Sequence, residues 1–410
     1  MKKLIESYRG LPKEMYAMCF AKLINSLGDF VVPFLALYLT QKIGMSTAAS
    51  GIIVTIASVI VIPASIIGGK VADDLGRKKV YIYAQTISAA ALIPCAFSKS
   101  ALVSVTCLLI STFFNGFVRP AFNSIVTDIL PADQRQTGFS LQYLSINVGV
   151  SIGPIIAGFL FNNLLPMLFI GDALTSFIAV FSVWKYVRET NPEASEKIVE
   201  SKAEKREEGN MLEMLCKRPH LCLFFLINIA YAFIYSQHRF SLPLTLNSVF
   251  KNNGAHMFGY VMSVNAITVL ALSVFVGAIT KKNHPLSNLV LAGIAYSIGF
   301  GMLAFVSNFS FFILSTVIWT TGEILSTINS GVYLANNSPS NYRARLNAVS
   351  SIGWAIGAAS STSFSGAYMG AYGYRSIWTL VIIISLISAS FMFLLKLYSK
   401  RVEKKQNMAA

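Results

Sequence analysis

The chain has 410 residues, 54% of them hydrophobic and only 12% charged, with 29 Phe and 17 Tyr, which is too apolar for a soluble enzyme of this length and points to a bilayer as solvent. The formal net charge is +15, yet Lys and Arg fall in short gaps between apolar runs and not on one basic face, which argues against a nucleic-acid binder and for membrane orientation. Cys19, Cys95, Cys107, Cys216 and Cys222 show no CxxC or Cys/His spacing, so no metal, cofactor or disulfide framework is expected.

The amino terminus, MKKLIESYRGLPKE, has the look of a signal peptide's basic start. The run that follows is long, contains Lys22, Asn25 and Asp29, and lacks a small-residue cleavage site, so it is expected to remain as a first span. A helix needs about 20 apolar residues to cross the hydrocarbon core. On that measure twelve spans are predicted, near 16–40, 48–69, 79–98, 101–126, 138–162, 166–186, 219–247, 257–280, 286–306, 309–332, 345–370 and 374–396.

With the amino terminus inside, 26 of the 33 basic residues fall in inner segments and span ends, four (Lys42, Lys99, Lys251, Arg375) in outer loops and three (Lys22, Arg119, Arg239) within spans. That asymmetry predicts a multi-pass protein of the plasma membrane with both termini cytoplasmic. Residues 187–218 hold seven basic and eight acidic residues and read as a cytoplasmic linker. The organisation expected is therefore a bundle of six spans over 1–186, the linker, and a second bundle over 219–410.

The halves look related. Pro131 and Arg135 recur as Pro339 and Arg343 at an offset of 208, and Asn123-Ser124 recurs as Asn329-Ser330 at an offset of 206. A duplicated half is the parallel repeat expected of two-bundle transporters.

Charge inside the membrane is costly, about 2.5–3.5 kcal/mol at the bilayer centre, so such residues face a cavity or a partner. Helical spacing sorts the polar residues into stripes. Span 1 aligns Lys22, Asn25, Ser26, Asp29 and Pro33; span 4 aligns Asn115, Arg119 and Asn123. Span 7 aligns Asn228, Tyr231, Tyr235 and His238, followed by Arg239, and span 10 aligns Trp319, Glu323, Thr327 and Ser330. These are the same station in each group of three spans, which predicts a central aqueous cavity walled by four helices. Helix-to-helix bonding is the competing account of Asn25, Asn115 and Asn228, and snorkelling to the interface that of His238 and Arg239. Asp172, near the end of span 6, reads as structural.

Two motifs carry a resemblance. Gly69-Lys-Val-Ala-Asp73-Asp-Leu-Gly76-Arg77-Lys78-Lys79 has the Gly-x3-Asp-x2-Gly-Arg-Lys core of the loop between spans 2 and 3 of the major facilitator superfamily, and Gly149-Val-Ser-Ile-Gly153-Pro154-Ile-Ile-Ala-Gly158 is similar to the glycine-rich motif of its antiporters. The chain resembles that superfamily over nearly its whole length, and its first half resembles the twelve-span drug:proton antiporters most. The resemblance implies an all-α integral membrane fold of twelve helices in two six-helix bundles and, for Arg119, the place of an arginine associated with proton coupling. It also implies that Glu323 stands where some multidrug members have a carboxylate. In the second half, Gly277-Ala-Ile-Thr-Lys-Lys-Asn keeps a glycine and basic residues but lacks the aspartate.

The function expected is a proton-coupled exporter of small amphipathic or cationic compounds working by alternating access. Asp29 and Glu323, with Arg119, are its expected proton-coupling residues. The substrate cavity is expected to involve Lys22, Asn25, Asn115, Tyr231, Tyr235, His238, Arg239 and Trp319. Gly69, Asp73, Gly76, Arg77 and Asp128 form the expected cytoplasmic gate, with Arg77 pairing to Asp73 and Asp128 and Asp73 against a helix N-terminus of the other bundle. Its partners are a small-molecule substrate, protons and the lipid bilayer, and a monomer is expected. Three intramembrane cations against two carboxylates keep open an anionic or zwitterionic metabolite, a siderophore or a lipid-like substrate. A nutrient symporter or facilitator, a membrane sensor and a scramblase are further alternatives. No Gly-x4-Gly-Lys-Ser/Thr loop is present, which argues against an ATP-driven pump.

Overall fold

The computed structural model describes residues 10–131, 134–189, 218–280, 283–337 and 343–409. Most of the expected linker (190–217), parts of the two repeated loops (132–133 and 338–342), and Lys281 and Lys282 lie outside the described residues. Among the described residues the protein is helical, with no strand.

The first span is α1 (Lys13–Leu27) followed by α2 (Val31–Leu37) and a π turn, Tyr38–Lys42. Spans two to seven are α3 (Thr47–Leu75), α4 (Arg77–Phe97), α5 (Ala101–Ile129), α6 (Arg135–Asn163), α7 (Leu165–Tyr186) and α8 (Pro219–Phe250). The last five are α9 (Gly254–Thr280), α10 (Pro285–Met302), α11 (Phe309–Asn337), α12 (Arg343–Tyr372) and α13 (Ser376–Ala409). Among the described residues ten stretches satisfy length and hydropathy together, with Pro219–Ser273 counted as one. The Ser- and Gly-rich α12 is not among them.

One sequence expectation is corrected. The first span is broken where a continuous helix over 16–40 was expected: Gly28, Asp29 and Phe30 are non-helical. Pro33 has no N–H to return to the Asp29 carbonyl and stands in the first turn of the restarted helix, where a missing N–H costs least. Asp29 therefore sits at the break and not on a helical stripe.

The described residues gather in two compact units, one within 10–46, 53–189 and 246–267, the other within 47–52, 218–245 and 268–409. In the first unit, α4 packs against α5 and α7; in the second, α10 packs against α11 and α13. Those are the same pairings one half apart. Phe309 stands 208 positions after Ala101 and Asn337 208 after Ile129, so α5 and α11 match at both ends at the offset of the repeated Pro and Arg. In the first unit Met15, Met18, Tyr81, Phe122, Ile125 and Val183 belong to one buried cluster. Since lipid is as apolar as these side chains, close packing rather than water exclusion holds them.

Candidate functional site

The break in the first span is held from both sides. Asp172 of α7 accepts hydrogen bonds from the backbone N–H of Phe30 (3.2 Å) and Val31 (3.1 Å) through one oxygen, Oδ2. A restarting helix has orphan N–H groups and a partial positive charge at its first turn, and a carboxylate supplies both needs. Gly28 lies so close to Thr175 of α7 that a Cβ would collide with it. On α6, a Cβ on Gly153 would meet the Leu27 carbonyl at 2.5 Å, and one on Gly149 the Leu23 carbonyl at 2.8 Å. The glycine-rich motif thus seats α6 on the last turn before the break. Further along, Gly158 approaches the Ala255 carbonyl and Gly259 the Pro154 carbonyl, within the same unit.

Beside the break is a cavity of about 140 Å³ whose lining includes Lys22, Asn25, Asp29, Gln85, Asn115 and Asp172. Gln85 Nε2 donates to Ser176 Oγ (2.9 Å) and Asn25 Oδ1 (3.4 Å), and Ser176 Oγ donates to Asn25 Oδ1 (3.1 Å). The charges of Asp29 and Arg119 both act on Lys22, whose Nζ lies 5.7 Å from the centre of the Phe122 ring. Arg119 is exposed on α5 and is not part of the lining.

The loop motif builds a second cluster. Arg77 makes ion pairs with Asp128 and, at 3.4 Å, with Asp73. Arg77 and Asp128 are 12% and 10% exposed, Asp73 58%. Gly76, with φ +103°, turns the chain from α3 into α4, a conformation favoured only for glycine. The Glu189 carboxylate occupies the space beside it, accepting the N–H of Lys78 (2.8 Å) and Lys79 (3.2 Å), while Lys78 Nζ donates to the Trp184 carbonyl (2.8 Å). Gly69 has only Pro120 within reach, at 3.8 Å.

In the second unit a carboxylate lies among aromatic rings. Tyr235 Oη donates to Glu323 Oε1 at 2.7 Å. Around Tyr235 stand His238 (ring centres 4.3 Å apart), Trp354 (5.8 Å) and Trp319 (6.2 Å), with His238 stacked on Trp319 at 5.7 Å. Arg239 is exposed and donates to His238 Nε2 at 3.3 Å.

Comparison with known proteins settles the family. The model of the Major Facilitator Superfamily matches residues 18–362. The chain belongs to the Major Facilitator Superfamily. Its relatives include the MFS-type transporter YqjV of Bacillus subtilis, 25% identical over 75% of this chain and 73% of that one. Another is a Na(+), Li(+), K(+)/H(+) antiporter of Planococcus maritimus, 22% identical over 82% and 84%. The quinolone resistance protein NorA of Staphylococcus aureus is 26% identical over 39% of this chain and 42% of its own. A solved variant of the nucleoside transporter NupG superposes with a TM-score of 0.80 at 15% identity, covering 93% of this chain and all of that one, which shows the fold.

In this Major Facilitator Superfamily transporter, a multi-pass membrane protein, the residues singled out from sequence separate into groups. Lys22, Asn25, Asn115 and Asp29 share one cavity in the first unit. Tyr235, Glu323, His238 and Trp319 meet in the second, where Tyr231 is fully buried and donates to the Leu289 carbonyl at 2.7 Å. His238 and Trp319 are also buried within that unit, whereas Tyr235 and Glu323 are part-exposed. Asn228 is a helix bonder, accepting from Ser330 Oγ at 3.1 Å. Where the first unit has the Arg77 ion pairs, the second joins α10 to α11 through neutral amides, Asn288 to Asn329 at 2.7 Å.

Sequence reasoning missed Gln85, Ser176 and Glu189. Gln85 carried a signal, a lone amide in an otherwise apolar span; Glu189 carried none, because capping across 111 positions has no local pattern.

Proposed function

We propose that this transporter is a proton-coupled antiporter that exports small amphipathic or cationic compounds from the cytoplasm by alternating access, with both termini cytoplasmic. One observation carries the reading: Glu323 is held by Tyr235 inside a cluster of Tyr, His and Trp rings. A carboxylate beside aromatic faces is the chemistry that attracts an organic cation, through charge and the ring quadrupole together. A proton and such a cation compete for one carboxylate, and that competition is the coupling. Asp29, with Arg119, is the second proton-coupling group in this scheme, and the Arg77 cluster is the cytoplasmic latch. The glycine-rich α6 supports antiport through its likeness to the superfamily's antiporter motif, and the Planococcus cation/proton antiporter and the Staphylococcus quinolone resistance protein among its relatives point the same way.

Purified protein in proteoliposomes tests it, with ethidium as the probe. An imposed proton gradient is expected to drive counter-movement of ethidium, and Glu323→Gln to abolish it. Ethidium movement in the unaltered protein that ignores the gradient would refute antiport.

A second reading is favoured by the exposed Arg119 and Arg239, which suit an anionic or zwitterionic substrate. It predicts that an anionic fluorescent probe moves where ethidium does not, and that Arg239→Gln abolishes the movement.

A further inference from the structure

We propose that the groove between the start of α1 and the end of α7 binds one anionic glycerophospholipid, its phosphate held by Lys13, Lys185 and Arg188 and its acyl chains laid over Phe20, Ile178 and Phe181. The groove lies wholly within the first unit, so its binding is independent of the transported substrate and of any coupling ion. Only the name of the leaflet, cytoplasmic, rests on the proposed orientation of the termini.

Two contacts align the helices. Ser182 Oγ donates to the Ala17 carbonyl at 3.4 Å, and toward the start of α1 Arg188 Nε lies 3.8 Å from Glu14. Beside this seam is an open groove of about 980 Å³. Sites of about 300–1,000 Å³ enclose most of a drug-sized molecule, so a headgroup, its glycerol and the first methylenes have room.

Charge is unbalanced at one end of the groove. Lys13, Lys78, Lys185 and Arg188 stand there against two carboxylates, Glu14 and Glu189. Both oxygens of Glu189 accept helix N–H groups, and Lys78 Nζ donates to the Trp184 carbonyl, so these two are already engaged. Lys13 and Lys185 make no ion pair with another described residue. Arg188, 92% exposed, meets Glu14 only through Nε, which leaves its terminal nitrogens for a phosphate. Basic pockets at the inner ends of membrane helices are lipid-headgroup sites. The excess of positive charge selects an anionic headgroup, since the ammonium of a zwitterionic lipid would add to it.

Polarity falls along the same groove. Tyr16, Trp184 and Tyr186 are exposed at the charged end, where aromatic rings lie level with headgroups. Phe20, Ile178 and Phe181 are exposed deeper along the same two helices, where acyl chains run. A soluble anion would use the first set and leave the second uncovered.

The full chain purified in detergent is titrated with dioleoylphosphatidylglycerol while the thermal unfolding midpoint is followed, with dioleoylphosphatidylcholine and soluble glycerol phosphate as comparison probes. Phosphatidylglycerol is expected to raise the midpoint saturably, and the other two to leave it where it was. Replacing Lys185→Gln and Arg188→Gln together is expected to weaken the apparent affinity at least about tenfold; both side chains are exposed, so the fold tolerates the change. Lys70→Gln removes an exposed cation of α3 outside the groove and is expected to leave the affinity unchanged. Equal shifts with the two lipids, a matching shift with glycerol phosphate, or an equal loss in Lys70→Gln would overturn the site, the last because diffuse surface attraction has no preferred position. Proton-driven ethidium transport by a protein that ignores phosphatidylglycerol overturns this site and leaves antiport standing; phosphatidylglycerol binding without proton-driven transport does the reverse.

Discussion

The carboxylate of Glu189 caps the helix that begins at Arg77, accepting the N–H of Lys78 at 2.8 Å although the two residues lie 111 positions apart. A helix start with its N–H groups unmet loses about 1 kcal/mol when a capping side chain is removed. Glu189→Ala is therefore expected to lower the thermal unfolding midpoint, and Glu189→Gln to lower it less, since the amide oxygen still accepts. Equal midpoints for all three proteins would remove Glu189 from the motif's support.

The two partners of Arg77 are expected to differ. Asp128 is 10% exposed and Asp73 58%. Breaking a buried pair leaves an uncompensated charge and costs about 3 kcal/mol, whereas an exposed pair contributes under about 1 kcal/mol. Chemical denaturation should place Asp128→Asn well below Asp73→Asn in stability. Transport should separate them in the opposite sense: Asp73→Asn is expected to slow turnover while substrate affinity stays near normal, and a loss of affinity at normal turnover would count against a gate role.

Space distinguishes the glycines. A Cβ on Gly153 meets the Leu27 carbonyl at 2.5 Å, whereas one on Gly69 has nothing nearer than 3.8 Å. Gly153→Ala should push α6 from α1 next to the break and reduce transport at least about tenfold, since backbone cannot yield as a side-chain tip can. Gly69→Ala should leave the unfolding midpoint within about 0.5 kcal/mol of the unaltered protein. Transport lost in Gly69→Ala at unchanged stability would show that this glycine serves a moving gate.

Tyr235→Phe removes the 2.7 Å bond to Glu323 and should cost about 1 kcal/mol of stability. Glu323→Gln keeps an acceptor for that hydroxyl, so its stability is expected to change little while the pH dependence of transport disappears. If Glu323→Gln keeps a normal pH profile, the coupling carboxylate lies elsewhere, with Asp29 next to be replaced.

How much was legible follows from the range of each interaction. Apolar runs of about 20 residues announce spans, because the bilayer sets their length, and each of the twelve sequence-derived spans falls on a helix or helix pair, although the last helix continues to Ala409, well past the expected end at 396. The Arg77 pairs were legible from the Gly-Arg-Lys motif and the acid at Asp128. The stripe on span 1 was legible as polarity and misread as geometry, since Gly28, Asp29 and Phe30 were counted as helix.

Composition and spacing alone carry the membrane setting, the helical class, the duplicated plan and the motifs that place the chain in its superfamily. The break of the first span at Asp29, the cap that Asp172 places on its restart, the buried Gln85 Oε1 left without a donor and the closing of the loop motif by Glu189 emerge with the packed fold. Each of those depends on groups far apart in the chain meeting where water is excluded. There a polar atom must find its partner through space, and no local pattern says which residue that partner will be.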